Sequence, residues 1–302
     1  MVVCDTILKE RMNARLLGCG GEDVVQTTVV LAHGFGANQS LWEKLVAHLV
    51  GDDHDERKLS VMLFDWSFSS AIKDPDVFDP LKYSSFDAFV EDLVALLDEM
   101  KLSSVVFVGH SISAMIGCLA SIKRPDLFKK LFLIGVSPRM SKPTRNHFRL
   151  VSKPGQTYLN SEDYNGGFEM EQIEQILTAI ETNFQAWASA FAPSVLDSKD
   201  PSSVDKFKES LSELRPEVAL KMAKIIFCTD LRGTLEEVRV PCTIVQTTND
   251  LVAPTSVAYY MQKKMTNAPS VNVEIIEADG HFPHLTNTNT LAEILDRALV
   301  EA

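Results

Sequence analysis

The chain has no apolar run approaching the ~18 residues needed to cross a bilayer. It also lacks a surplus of positive charge. Its formal net charge of −12 argues against nucleic acid or an anionic membrane surface as a partner, since both are met by a basic footprint. Cysteine is sparse and odd in number: Cys4, Cys19, Cys118, Cys228 and Cys242 are scattered, with no C-x-x-C pair. Such a set fits buried thiols in a reducing compartment better than a disulfide framework. The first fifteen residues carry charge throughout and hold no apolar core of signal-peptide length. No H-E-x-x-H or comparable ligand spacing occurs, and no Gly-rich loop has a phosphate-binding context, so neither metal nor cofactor is expected. Internal repeats and low-complexity tracts are missing too. These absences together lead to the expectation of a soluble, intracellular, monomeric protein.

What is present is a rhythm. At ~150 residues per domain, 302 residues suggest two domains, although large α/β folds often use this length for one. With 45% of residues hydrophobic, a sizeable core is within reach. Buried parallel strands read as unbroken apolar runs, and such runs stand at Thr28–Ala32, Val61–Phe64, Val105–Val108, Leu131–Ile134, Cys242–Gln246 and Val271–Ile276. Helical spacing separates them: Leu41, Leu45, Val46 and Leu49 (with Ser40 as N-cap), Val90, Leu93, Val94 and Leu97, then Val257–Met265 and Leu291–Leu299. Strands alternating with helices predict a mostly parallel, doubly wound sheet covered on both faces.

The alternation breaks after Ser137. Met140–Gly155 has no apolar periodicity and carries Lys142, Arg145, Arg149 and Lys153, which predicts a long exposed basic loop. From Phe168 three amphipathic patterns follow without a strand between them, and they read as an inserted helical cap. The expected partition is therefore 1–139 for the first part of the core, 140–232 for the basic loop and lid, and 233–302 for the second part of the core.

The chemistry is expected where Val105–Val108 runs into Gly109-His110-Ser111-Ile112-Ser113. A buried strand that turns sharply into a helix at a serine is the nucleophile elbow, usually G-x-S-x-G, with Ser113 here in the last position. A serine hydroxyl is a weak nucleophile, so it needs a base and a group to orient that base. In elbow enzymes these follow in the order serine, acid, histidine. Asp250 stands after the Cys242–Gln246 strand and His281 after the last strand, at carboxyl ends that share one rim of a parallel sheet. The oxyanion hole is assigned to the backbone N–H groups of Ile112 and of Phe35, the latter in His33-Gly34-Phe35-Gly36. Rival bases and acids are read as structural or exposed: His33, His48, His54, His110, His147 and His284 among the histidines, Asp230 and Asp279 as solvated carboxylates or local caps. His110 is expected to point away from the serine. Phe35, Tyr158, Trp187, Phe191 and Phe227 are aromatic and suitably placed to line a pocket beneath the cap, though each also suits the core.

These motifs resemble the strigolactone- and karrikin-receptor α/β-hydrolases of plants and their bacterial RsbQ-like relatives. The likeness rests on Gly109–Gly117, where serine in the last motif position is that family's own variant. It extends through Arg124–Phe128, Ser137–Arg139, Asp163–Glu169, Ala186-Trp187, Phe191–Pro193, Arg215-Pro216, Asp250–Pro254 and Asp279–His281. The resemblance implies an α/β-hydrolase fold with a four-helix V-shaped lid, a hydrophobic butenolide pocket, and slow hydrolysis by Ser111, Asp250 and His281. It also implies hormone-dependent docking to a leucine-rich-repeat F-box protein and to transcriptional co-repressors, in the cytoplasm and nucleus. A conventional serine esterase acting on small lipophilic esters, with no receptor role, is the alternative. In two places the chain departs from the family. Asp65 is followed by Trp-Ser-Phe-Ser-Ser where a Gly-rich stretch is usual, and the segment after Arg139 carries an insertion. Both mark a divergent paralogue of the D-fourteen-like or karrikin-receptor-like kind.

Overall fold

The apolar runs become strands at the positions their pattern predicts. The computed structural model describes residues 8–18, 27–51, 59–139, 164–197 and 199–301. Its strands are β1 (Arg15–Leu17), β2 (Thr27–Ala32), β3 (Leu59–Leu63), β4 (Val105–His110), β5 (Phe128–Ile134), β6 (Cys242–Asn249) and β7 (Val271–Asp279). They form one sheet in the order β1-β3-β2-β4-β5-β6-β7. Every pairing is parallel except that of β1, which runs antiparallel to β3. The helices in chain order are α1 (Leu8–Arg11), α2 (Glu43–Val50), α3 (Phe86–Glu99), α4 (Ile112–Lys123), α5 (Met170–Ser194), α6 (Pro201–Ser212), α7 (Pro216–Cys228), α8 (Thr255–Lys264), α9 (Pro283–Thr286) and α10 (Thr288–Val300).

Alternate strand residues face opposite sides of the sheet, and the two sides have separate cores. Val30, Phe107, Leu131 and Ile244 pack with residues of α3, α4 and α8. Val29, Val108, Phe132 and Val245 pack with Leu45 and Leu49 of α2 and with Leu291 and Leu295 of α10. Strand β4, buried along its whole length, lies at the centre between β2 and β5. Close packing of α4 onto it needs glycine: a Cβ on Gly117 would sit 2.4 Å from the Phe107 ring, and one on Gly109 would sit 2.7 Å from Ala114 N.

Several features depart from the sequence reading. The short strand β1 is not signalled by any apolar run. A 3₁₀ turn over Gln39–Trp42 leads into α2 and is capped by Asn38, whose side chain accepts a hydrogen bond from Ser40 N (2.9 Å). Ser40 therefore lies inside that turn and caps neither it nor α2, which starts after Trp42 with no side-chain cap. Asp230, read as solvated or as a local cap, accepts from Arg232 N (3.1 Å) as a local cap does, but it is also half-buried between two guanidiniums. It pairs with Arg139 at 3.1 Å and Arg232 at 2.7 Å, where the chain leaves the core and returns to it. Leu231 N donates to Pro138 O (2.8 Å) at the same junction. Helices α5, α6 and α7 stand between β5 and β6 with no strand among them. Helix α5 breaks at Asn183 (φ −153°, ψ 83°), whose side chain accepts from Ala186 N and so caps a new helix start. Four helical segments therefore cover the sheet rim. The basic Met140–Gly155 segment lies outside the described residues.

Candidate active site

The turn between β4 and α4 places Ser111 at φ 57°, ψ −119°. A non-glycine residue at positive φ is strained and persists only where its surroundings enforce it. Here Ser111 N donates to Ile134 O (2.8 Å), Ala114 N donates to Ser111 O (3.0 Å), and glycines on both sides allow strand and helix to touch. The Ser111 side chain makes no capping bond to its own helix, which leaves the hydroxyl available at the rim.

Asp250 follows β6 directly and is buried. Its Oδ1 accepts from Val252 N (2.7 Å) and Ala253 N (3.1 Å), and its Oδ2 faces His281 Nδ1 at 2.6 Å. His281 is fixed at both ends of its backbone: its N–H donates to Val195 O (2.7 Å) in the lid, and its carbonyl accepts from His110 Nε2 (2.9 Å). Two glycines at positive φ allow this placement, Gly135 against the ring and Gly280 against the lid backbone. A Cβ on Gly135 would lie 2.7 Å from His281 Cε1, and one on Gly280 would lie 2.8 Å from Asp197 N. With Nδ1 engaged by Asp250, His281 Nε2 is buried without a protein partner and borders the same cavity as Ser111. The arrangement can accept a proton from the serine hydroxyl and return it to a leaving group.

That cavity has a volume of ≈ 40 Å³ and is mostly apolar. Of the residues read from the sequence as its lining, Phe35, Phe191 and Phe227 border it. Trp187 does not; it stacks on Phe191 (centroids 4.8 Å apart, 19° between planes) and stands behind the wall. Tyr158 lies outside the described residues. Phe207, Phe282, Val195, Ile226 and Val252 complete the wall and were not singled out in the sequence. His110 also borders the cavity, against the expectation that it faces away, and its ring centroid is 4.8 Å from that of His281. A larger recess of ≈ 140 Å³ between the 67–73 loop and the α6–α7 turn has no histidine on its wall, whereas Ser111 and His281 both line the smaller cavity.

The other histidines near the site are neutral by burial. His33 Nε2 accepts from Trp66 N (3.2 Å), which leaves Nδ1 to donate to Gly34 O (2.9 Å), and burial holds its pKa below the usual value. Burial likewise pushes His110 well down, with His284 and His281 adding to it, and takes His284 to about 3. His48 instead pairs with Asp296 (2.9 Å) at the surface. Asp279 accepts from Asn249 Nδ2 (2.7 Å). Among the described residues no cluster of side chains has the make-up of a metal site. The Cys118 thiol, buried beside β4, is pushed up to about 12.

These depressed histidines have a consequence for stability. In the unfolded chain each titrates near 6.5, whereas in the fold burial holds each below that, His284 at about 3. Between about pH 3 and 6.5 the unfolded state therefore holds more protons on His284, and His33 and His110 act in the same direction below 6.5. Stability is complete above that window and declines as pH falls through it, by up to about 1.4 kcal/mol per pH unit per histidine. Urea unfolding followed across this range is expected to show a steeper acid-side decline for the native chain than for His284→Phe. Identical slopes would show that His284 does not contribute.

Comparison with known proteins is consistent with this geometry. The profile of the alpha/beta hydrolase family matches residues 29–294. The chain is 38% identical over 292 residues to the karrikin insensitive 2 receptor CA of Petunia hybrida, covering 96% of each. It is 37% identical over 290 residues to the strigolactone esterase D14 of Arabidopsis thaliana, covering 96% of this chain and 97% of that one. Among solved structures, a hydrolase from Oleispira antarctica superposes with a TM-score of 0.82 at 28% identity, covering 98% of this chain and 97% of the other.

Proposed function

Because the chain belongs to the alpha/beta hydrolase family, we propose that it is a butenolide receptor that hydrolyses its ligand slowly through Ser111, His281 and Asp250. The observation that carries this reading is the pairing of His281 with buried Asp250 at 2.6 Å, beside Ser111, in a small apolar cavity roofed by the lid. Relatives named as a karrikin receptor and a strigolactone esterase support the ligand class.

In the proposed reaction the Ser111 hydroxyl attacks the ester or lactone carbonyl while His281 Nε2 takes its proton. The N–H groups of Phe35 and Ile112 hold the oxyanion. Ile112 is the first residue of α4 and has no intrahelical acceptor. Collapse of the tetrahedral intermediate breaks the carbon–oxygen bond, and His281 returns its proton to the leaving alkoxide or enolate. Water, deprotonated by His281, then releases the acyl group from Ser111. Asp250 stabilises the imidazolium throughout. The apolar wall supplies burial for the ligand and excludes water, which strengthens each of these charge interactions. By resemblance, docking to a leucine-rich-repeat F-box protein and to co-repressors in cytoplasm and nucleus belongs to the same proposal.

The test uses Trp187, which stacks on the wall residue Phe191 and so reports occupancy by its fluorescence. Synthetic butenolide enol ethers of both configurations are titrated into the protein, and its intact mass is followed afterwards. A saturable fluorescence change with at least one configuration, and a covalent adduct on Ser111 or His281, is the expected result. No response to any of them would overturn the receptor reading. Many rapid turnovers on para-nitrophenyl acetate without butenolide response would establish the conventional esterase instead.

A further inference from the structure

We infer that Trp66, together with Ser113, is a positioning residue for the oxyanion hole. This inference rests on the hydrolase reading above. Trp66 heads the loop where the chain departs from its resembled family, and Ser113 replaces the last glycine of the general elbow motif. The structure brings these two unusual residues together.

The Trp66 Nε1–H points between two acceptors, Ser113 Oγ at 2.8 Å and His33 O at 3.2 Å. Ser113 Oγ donates in turn to His33 O at 2.5 Å. All three groups are buried. On the next residue, Gly34 O accepts from His33 Nδ1, and the His33 ring is itself held by Trp66 N. The carbonyls flanking the Gly34 turn are thus held from one indole residue and one serine in the first turn of α4. Phe35, one residue further on, supplies one proposed oxyanion donor, and Ile112, the residue before Ser113, supplies the other. The clip therefore sets the spacing between the two N–H groups that must converge on one oxygen. Little play remains behind it: a Cβ on Gly34 would lie 2.6 Å from His110 Nδ1 and 3.2 Å from Ser111 Cβ. The Trp66 ring is anchored by Phe64 and Phe89 (centroids 4.8 and 6.0 Å away), both edge to face.

The distinguishing property is which step suffers. A clip that only stabilises the fold would lower the melting temperature and leave the chemistry intact. A clip that positions donors weakens binding of the oxyanion and spares ground-state binding. Trp66→Phe keeps a ring and removes the N–H; Ser113→Ala removes the second donor to His33 O. Both are assayed with para-nitrophenyl acetate and with an aryl trifluoromethyl ketone, which forms a tetrahedral oxyanion on the serine, against the matching methyl ketone. Phe78→Leu, which loosens the same aromatic cluster through Tyr83 (centroids 5.0 Å apart) and does not touch Trp66, serves as the packing control.

Displacing a donor without deleting it is expected to cost about tenfold in kcat and about tenfold in trifluoromethyl ketone affinity, with KM and methyl ketone binding within about twofold. Phe78→Leu is expected to lower the melting temperature with kcat retained. Unchanged kcat and ketone affinity in folded Trp66→Phe and Ser113→Ala would overturn the inference, as would equal kcat losses in Phe78→Leu. If Trp66→Phe fails to fold, Ser113→Ala alone decides. A native chain that neither turns over the ester nor binds the trifluoromethyl ketone would overturn the hydrolase reading itself, and this inference with it.

Discussion

Ser111→Ala is expected to lower kcat on para-nitrophenyl acetate by at least about 10⁴-fold while leaving the protein folded and able to bind butenolide. The magnitude follows from the role proposed for the hydroxyl: with no nucleophile, only the oxyanion donors and binding remain, and these give a small residue of the rate. The fold is expected to survive because the Ser111 side chain does not cap α4. The strained turn is held by the Ser111 N to Ile134 O and Ala114 N to Ser111 O bonds and by Gly109, none of which alanine disturbs. Binding is expected to persist because the cavity wall is apolar and formed by other residues. Steady-state kinetics, Trp187 fluorescence and urea unfolding check the three parts separately. Retention of a tenth of the activity would remove Ser111 from the role of nucleophile. No other hydroxyl borders that cavity among the described residues, so turnover would then need a different site altogether.

How much of this could be read from the chain depends on the range of the interactions. The β4–α4 elbow was legible because strand burial, glycine spacing and the serine lie within nine residues, and local sterics leave that pattern few structures. The positions of Asp250 and His281 were legible for a topological reason, since parallel strands bring their carboxyl ends to one rim. Strand β1 was not, because three residues on an antiparallel edge carry no burial signal of their own. The local cap that Asp230 makes on Arg232 N is a short-range feature, but its long-range pairing is not legible for a related reason: Arg139 and Arg232 lie on both sides of a 90-residue excursion, and charge alone cannot announce a pairing across it. His110, expected to face away from the serine, borders the cavity because its ring packs against those of His281, Phe282 and His284, contacts between residues far apart in the chain that serve as packing and as cavity wall at once. Phe207 and Phe282 illustrate the same ambiguity. Their rings meet at 4.3 Å, one from the lid and one from the loop after His281, and either would serve equally well as ordinary packing. Ser113 and Trp66 were visible as departures from a pattern, but only their mutual hydrogen bond gives those departures a meaning.

Asp250→Asn is expected to lower kcat by about 10⁴-fold, out of proportion to a change that alters almost no volume. The reason lies in the hydrogen bonds Asp250 already holds. One carboxylate oxygen accepts from two backbone N–H groups, Val252 and Ala253, and these cannot face an amide NH₂. The carboxamide oxygen of asparagine must therefore take the Oδ1 position, which turns its NH₂ toward His281 Nδ1 across 2.6 Å. A donor now faces that nitrogen, so the imidazole avoids a clash of protons only by accepting there. Its proton moves to Nε2, the atom that should receive the proton of Ser111. The base is then present, correctly placed and in the wrong tautomer. Gln246 Nε2, a donor 3.4 Å from Oδ2 in the native site, opposes this orientation, but the two shorter backbone donors at Oδ1 outweigh that one long contact. Fluorophosphonate labelling of Ser111 is expected to slow in step with kcat, while butenolide binding and the unfolding midpoint change little. Nitrogen-15 shifts of His281 report the tautomer directly. A variant whose kcat falls less than about tenfold, or whose His281 keeps its proton on Nδ1, would show that Asp250 does not orient the base.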